Sequence, residues 1–301
     1  MYVMGTLLRH GSEEQKMRYL PRIASGELRL QAFGVTEPAA GSDTGSIRTR
    51  AVRDGDTWRV NGQKIWTSRA LHSDLMLLLA RTTPSSECER HTDGLSVFLL
   101  EMRDAAGDLV PGLAINPIPT MMNHSTTEVF FDEVVLPADA LVGTEGMGFR
   151  HVLDGMNAER ILIAAECIGD GRFFLDRASA YASERVVFGR PIGANQGVQF
   201  PLARAYADLQ AADLMRYRSA ELFDAGQPCA AEANMAKLLA SEASWSAGNA
   251  ALDTHGGFGF AVEYDIERKL RETRLYKVAP VSNNLVLTFL GEKVLGMPRS
   301  Y

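Results

Sequence analysis

Long apolar runs are missing from this sequence. The clearest of them, such as residues 75–80, fall far short of the roughly 20 needed to span a bilayer as a helix. The start, Met1-Tyr2-Val3-Met4-Gly5, has neither the charged nor the apolar region of a secretory signal. Cysteine is scarce: Cys88, Cys167 and Cys229 are odd in number, widely spaced and outside any metal or redox motif. That excludes a disulfide scaffold and makes a reducing cytoplasm the simplest setting. Positive charge is in deficit, with 31 Lys and Arg against 37 Asp and Glu, a formal charge of −6. A nucleic-acid binder would normally show a basic face, so that class is disfavoured, although local basic patches for phosphate stay open. The histidines (His10, His72, His91, His124, His151 and His255) never pair at metal-ligand spacing on a helix. Neither a Gly-x-Ser-x-Gly elbow nor a Walker sequence occurs, so hydrolase and NTPase chemistry have no local support.

What remains is an ordinary globular composition: 301 residues, 46% apolar and 23% charged. The length suits about two domains and a sizeable core. Ser12-Glu13-Glu14-Gln15 has the capping-box pattern and predicts a short helix over 13–24, stopped at Gly26. From residue 28 to about 142 the pattern changes. Runs at 48–52 and 57–60 favour strands, and 75–80, 95–100 and 128–136 read as buried strands. Asp54-Gly55 and Asn61-Gly62 are hairpin signals beside them. No strand–helix–strand crossover is visible, so the segment predicts an antiparallel sheet or barrel. From Gly148 onward the chain turns helical. Leu202, Ala205, Leu209 and Ala212 share one helix face, and Val286, Phe289, Leu290 and Val294 do the same. With the long Ala-rich stretches 156–182 and 230–252, this predicts a four-helix bundle. The expected fold class is α+β, a β domain followed by an α-helical bundle.

Four segments carry candidate chemistry. Val35-Thr36-Glu37-Pro38-Ala39-Ala40-Gly41-Ser42-Asp43 is rich in small residues, and its backbone amides can approach a planar or anionic ligand; it also reads as a plain surface loop. Trp66-Thr67-Ser68 can offer an aromatic wall and hydroxyls to a heteroaromatic ring, or bury a core tryptophan. Arg185-Val186-Val187-Phe188-Gly189, with Gln196 following, suits a nucleotide diphosphate, or is a helix end with a solvated arginine. In Asp253-Thr254-His255-Gly256-Gly257-Phe258-Gly259-Phe260 three glycines follow a helix, which allows close approach to a ligand or plain C-capping.

These segments, in this order, resemble the acyl-CoA dehydrogenase family, through 31–43, 60–68, 184–189 and 255–260. The resemblance covers essentially the whole chain. It implies a remnant of an N-terminal helical domain at 1–27, a middle β domain at 28–145 and a C-terminal helical bundle at 146–301. It also implies FAD as cofactor, and oxidation of an acyl-CoA thioester to the trans-2-enoyl-CoA. A base takes the α-proton while hydride leaves the β-carbon, and electrons pass to an electron-transfer flavoprotein. By the same resemblance, Phe33, Val35, Thr36 and Ser42 fall in a loop facing flavin and substrate, with Ser42 near the thioester arm. Trp66, Thr67 and Ser68 fall beside the isoalloxazine, Ser68 at its N5 edge. Arg185, Phe188 and Gln196 match positions that reach the FAD of a neighbouring subunit, which implies a homo-oligomer, a dimer or tetramer. Asp253, Gly256, Gly257, Ser282 and Asn284 fall in stretches that also contact FAD, and Met156, Asn157 and Arg160 fall against the substrate. The thioester carbonyl is polarised by a cofactor hydroxyl and a backbone amide, so no side chain is needed for that.

The base is where the sequence departs from the commoner pattern. Many members carry a glutamate in a Tyr-Glu-Gly-Thr-Ser segment, and here that position is Pro280, within Val278-Ala279-Pro280-Val281-Ser282-Asn283. A minority, including isovaleryl-CoA dehydrogenase, carry the base on an earlier helix, and that position falls on Glu159 in Asn157-Ala158-Glu159-Arg160. A carboxylate on the pocket face of this Ala-rich helix would be partly desolvated, with its pKa raised toward working pH. A salt bridge to Arg160 is the plainer role. Glu166, seven residues on, matches no family base. Two other classes remain open: a non-catalytic or partner-dependent homologue, and a flavin oxidase or monooxygenase. The short N-terminal match further implies a fragment, a mis-set start or a split protein. Apolar residues at Met4, Leu7, Leu8 and Leu20 are then expected to be exposed and to limit solubility.

Overall fold

A computed structural model describes residues 3–122 and 124–299. The chain forms two compact units, Met1–Thr120 with His124–Met156, and Met121–Asn123 with Asn157–Tyr301.

The first unit opens with two helices, α1 (Met4–His10) and α2 (Glu13–Ala24). The capping box forms as the sequence predicts. Gln15 N donates to Ser12 Oγ at 3.1 Å, and Ser12 N donates to Gln15 Oε1 at 3.0 Å. Eight strands follow: β1 (Leu30–Gly34), β2 (Arg50–Asp54), β3 (Thr57–Ser68), β4 (Leu75–Arg81), β5 (Leu95–Glu101), β6 (Leu113–Pro117), β7 (Thr126–Pro137) and β8 (Leu141–Val142). They lie in the order β6-β7-β3-β2-β4-β5-β8, with β1 beside β4. Most ladders are antiparallel, as expected. The β1–β4 and β2–β4 pairs are parallel, so the sheet is mixed, and among the described residues it does not close into a barrel.

The central strands are apolar throughout because both faces are covered. On β4, Met76, Leu78 and Ala80 pack with Trp58, Phe98 and Val129 on one side. Leu75, Leu77 and Leu79 pack on the other side with Val97, Leu7 and Tyr19. The helices thus bury their apolar stripe on the sheet, which corrects one expectation. Leu7 is fully buried and Leu20 packs beside the same cluster, whereas Leu8 remains exposed.

The Asp54-Gly55 signal does mark a hairpin: Gly55 and Asp56 form a two-residue turn, with Asp54 opposite Thr57 and Gly55 at φ +60°. Asn61-Gly62 does not. It lies inside β3 at a bulge, where the register against β7 shifts between Val60 and Gly62. The glycine is needed for space as well as conformation: a Cβ there would lie 2.5 Å from Thr49 Oγ1 and 2.6 Å from Thr49 Cα. Gly62→Ala is therefore expected to cost about 2–3 kcal/mol through overpacking, read as a lower urea midpoint at unchanged slope.

The second unit is helical. Three long helices dominate, α3 (Gly148–Glu184), α4 (Gln196–Asp224) and α5 (Ala230–His255), with the division between units falling inside α3 after Met156. A small hairpin, β9 (Val186–Val187) with β10 (Arg190–Pro191), joins α3 to α4. Two short helices follow, α6 (Ile266–Thr273) and α7 (Asn283–Phe289). Leu202, Ala205, Leu209 and Ala212 are all buried, as their spacing predicts. Gly171 seats the Leu209 side chain and Gly248 seats Phe174 and Leu270, so these helices approach closely where a Cβ would collide. The last predicted face is interrupted. Val286 is buried, but a π turn at Leu290–Val294 breaks the period and leaves Val294 exposed. Among the described residues no helix is long and apolar enough to cross a membrane.

Candidate functional site

In the first unit, the end of β1 runs into the 35–43 loop beside β3. Two features fix this loop. Ile65 N donates to Thr36 O at 2.9 Å, and a buried ion pair joins Lys64 Nζ to Glu37 Oε1 at 2.8 Å. Lys64 is fully buried and Glu37 is 7% exposed. The ammonium also donates to Val35 O at 2.9 Å, and the carboxylate accepts from the amides of Arg48 and Thr49 at 2.6 and 2.8 Å. Burial opposes the ionised form of Glu37. Lys64 and these donors outweigh it and hold the carboxyl below its ordinary range. Burial pulls the Lys64 ammonium down to about 8, against the pull of Glu37. Sequence reading missed this pair. A signal was present, since Lys64 sits on β3 among the inward positions of Trp58 and Val60, where a strand does not place a lysine without a partner.

The pair brings Val35 and Thr36 alongside the end of β3, where Trp66 follows. Trp66 is not a core tryptophan: it is 57% exposed and held at φ +60°, next to a second irregularity between Lys64 and Thr67. A bulky residue in that backbone region is strained, which is typical of residues that face a ligand. Thr67 is buried and its hydroxyl has no partner among the described residues, and Ser68 is exposed. Phe33 is partly buried against the sheet core, and Ser42 lies exposed farther along the loop.

In the second unit, Arg185, Gly256 and Gly257 line one cavity of about 410 Å³, with Tyr181, Val187, Ile192, Thr254, His255 and Phe258. Tyr181 stacks on the buried His255 ring at 4.4 Å, and the Arg185 guanidinium sits 5.5 Å from the centroid of Phe258. Gly256 has φ +57°, and an ideal Cβ at Gly256 or Gly257 would meet nothing within 4 Å among the described residues. The glycines thus leave an open cradle of backbone beside a guanidinium and aromatic faces, a donor set suited to a dinucleotide diphosphate. Phe188 does not line the cavity. It tips the β9–β10 turn at φ +54°, followed by Gly189 at φ +79°, and is completely exposed. Gln196 and Asp253 are exposed near the two helix ends. Ser282 caps α7, accepting from Leu285 N at 3.3 Å, and Asn284 is exposed on its first turn.

Glu159 is partly buried on α3. Burial pushes its carboxyl up to about 7, with Arg160 opposing and Glu166 adding. Arg160 turns Nη1 to Asn157 Oδ1 at 3.2 Å, and its buried Nε has no partner among the described residues. The arrangement is a desolvated carboxylate poised near neutral pH beside an under-satisfied guanidinium, a combination suited to proton abstraction from a carbon acid.

Comparisons with known proteins agree along the chain. The family described as acyl-CoA dehydrogenase, C-terminal domain, matches residues 146–294; the middle domain matches 32–134 and the N-terminal domain 1–27. The acyl-CoA dehydrogenase fadE12 of Mycobacterium bovis is 40% identical over 304 residues, covering 99% of this chain and 76% of that protein. The structure of the glutaryl-coenzyme A dehydrogenase glutaryl-CoA complex superposes with TM-score 0.92 at 33% identity, covering 100% of this chain and 75% of that one. The FAD complex of PigA superposes with TM-score 0.89 at 30% identity, covering 98% and 74%.

Proposed function

The chain belongs to the acyl-CoA dehydrogenase family, an oxidoreductase family, and on that premise we propose that it oxidises an acyl-CoA thioester to the trans-2-enoyl-CoA with FAD and passes the electrons to an electron-transfer flavoprotein. The observation that carries the proposal is Glu159, a carboxylate held near neutral pH on α3, while the commoner base position is occupied by Pro280.

Glu159 accepts the α-proton at a carboxylate oxygen. Its partial burial keeps the proton affinity near working pH, so the group is ionised before the step and holds the proton after it. Arg160 and Asn157 flank it and orient the acyl end, with Met156 the preceding residue of the same helix. Ser42 meets the thioester arm. Bound FAD supplies the acceptor for the hydride that leaves the β-carbon. On the first unit Phe33, Val35, Thr36, Trp66, Thr67 and Ser68 hold the flavin end. On the second unit Asp253, Gly256, Gly257, Ser282 and Asn284 hold FAD. Arg185, Phe188 and Gln196 reach the cofactor of a second copy, and the completely exposed Phe188 on its hairpin supports that reading. We assign the domains as 1–27, 28–145 and 146–301, and place the enzyme in the cytoplasm, which suits its free Cys88, Cys167 and Cys229.

Incubation of purified protein with acyl-CoA and an artificial electron acceptor should yield a thioester lighter by two hydrogens; unchanged substrate across all chain lengths would sink the reading. The cofactor assignment has its own test. Gly257→Leu starts a side chain from a position where a Cβ would meet nothing within 4 Å among the described residues. The flavin-to-protein ratio should fall at least about tenfold, the equivalent of roughly 1.4 kcal/mol, with the far-ultraviolet circular dichroism unchanged. Full flavin occupancy in that variant would move the cofactor elsewhere.

A further inference from the structure

Arg81, the last residue of β4, donates to five main-chain carbonyls drawn from two loops. Nε reaches Ile47 O at 3.3 Å, and Nη2 reaches Gly45 O at 2.7 Å and His91 O at 2.9 Å. Nη1 reaches Thr83 O at 3.3 Å and Asp93 O at 3.2 Å. A guanidinium has five N–H donors in a rigid fork, so the whole donor capacity is spent on backbone, with no carboxylate partner among the described residues. The nearby Asp93 carboxylate is taken by Arg90 at 3.0 Å. The Arg81 guanidinium instead joins the backbones of two loops at the end of β4.

One of those loops carries Ser42. Its front end is tied by Glu37, whose carboxylate takes the Arg48 and Thr49 amides and whose main chain pairs with Ala40 at 3.0 and 3.1 Å. Its rear end is tied by the Arg81 guanidinium at Gly45 O and Ile47 O, by Arg81 N donating to Thr49 O at 2.8 Å, and by burial of Ile47 in the sheet core. The second loop, 83–93, packs against the first, with His91 against Gly45. One side chain thus bridges both loops at the end of β4.

We propose that Arg81 is a positioning residue for the thioester arm of the substrate, which holds the Ser42 loop and the 83–93 loop in a single arrangement before acyl-CoA arrives. The inference rests on the reading that Ser42 meets that arm. Lysine keeps the charge but offers three donors from a point, so charge alone cannot replace the fork.

The test compares wild type with Arg81→Lys, both flavin-loaded, on an acyl-CoA and on the same acyl group as its N-acetylcysteamine thioester, which lacks most of the arm. The expected result is a KM for acyl-CoA raised at least roughly tenfold, kcat within about twofold, and little change on the truncated thioester. Hydrogen exchange should rise together in 41–47 and 83–94 and stay unchanged in 75–80. Equal losses on both thioesters, an unchanged KM, or loosening of one loop alone or of the whole sheet would overturn the proposal. A wild-type protein that turns over no acyl-CoA overturns the functional reading itself, and this inference with it, before any Arg81 variant is needed.

Discussion

Glu159→Gln is expected to abolish reduction of the bound flavin by acyl-CoA while leaving the flavin bound. Removal of a general base typically costs about 10²–10⁴ in rate, and a weakly acidic thioester α-proton places the loss at the upper end. The pH dependence follows from the carboxyl held at about 7. The base acts only when ionised, so turnover rises with pH through about 7 and levels off above it.

The same shift makes a stability prediction with a definite sign. The folded state binds this proton more tightly than the unfolded state, whose ordinary carboxyl titrates near 4.3. Stability contributed by the protonated form is therefore present below that value and is lost as pH rises toward 7. Glutamine cannot ionise. At pH 8 the variant should be more stable than wild type, on the order of 2 kcal/mol after allowance for partial exposure. A structural salt bridge from Glu159 to Arg160 predicts the opposite, a variant that is less stable above neutral pH. Chemical denaturation at pH 5 and pH 8 separates the two.

Lys64→Met carries the second large effect. It strips the partner from a carboxylate that is 7% exposed, and breaking a buried pair on one side typically costs about 3–5 kcal/mol. The hydrogen bonds from Arg48 and Thr49 remain, so the loss comes from the uncompensated charge and the freed Val35 carbonyl. Glu37→Gln together with Lys64→Met should recover much of it. In wild type the depressed Glu37 pKa contributes stability above the ordinary carboxyl value and loses it on acidification. In Lys64→Met the carboxyl is raised instead, so its penalty disappears as pH falls. The gap between the two proteins should narrow from pH 7 to pH 4 in urea titrations. A gap that stays constant would trace the loss to packing around the lysine stem rather than to charge.

Much of the fold was legible from periodicity. The 75–80 and 95–100 runs are strands because helices and loops cover both faces, and Leu202 to Ala212 lie inward at the spacing their sequence shows. What escaped was set by tertiary contact. Asn61-Gly62 has turn chemistry, yet Thr49 packed against Gly62 makes it a bulge inside a long strand. The short β6 and β8 gain their hydrogen bonds from longer neighbours and carry little pattern of their own. Parallel pairing of β1 and β2 with β4 depends on chain return, which no local dipeptide encodes. At the candidate site, motif residues were visible because they are small, aromatic or basic in unusual clusters. Of the residues that hold them, Lys64 left a trace at an inward strand position, whereas Glu37 and Arg81 look like ordinary charges until the fold gives them their partners.

The most direct measurement is anaerobic. Purified flavin-loaded protein is mixed with a ladder of acyl-CoAs, and the flavin's visible absorbance is followed in wild type and Glu159→Gln. At least one acyl-CoA should bleach wild type with formation of the enoyl thioester, while the variant binds the same ligand and stays yellow. A wild-type flavin that no acyl-CoA reduces, or a Glu159→Gln flavin that bleaches at near wild-type rate, would contradict the proposed chemistry.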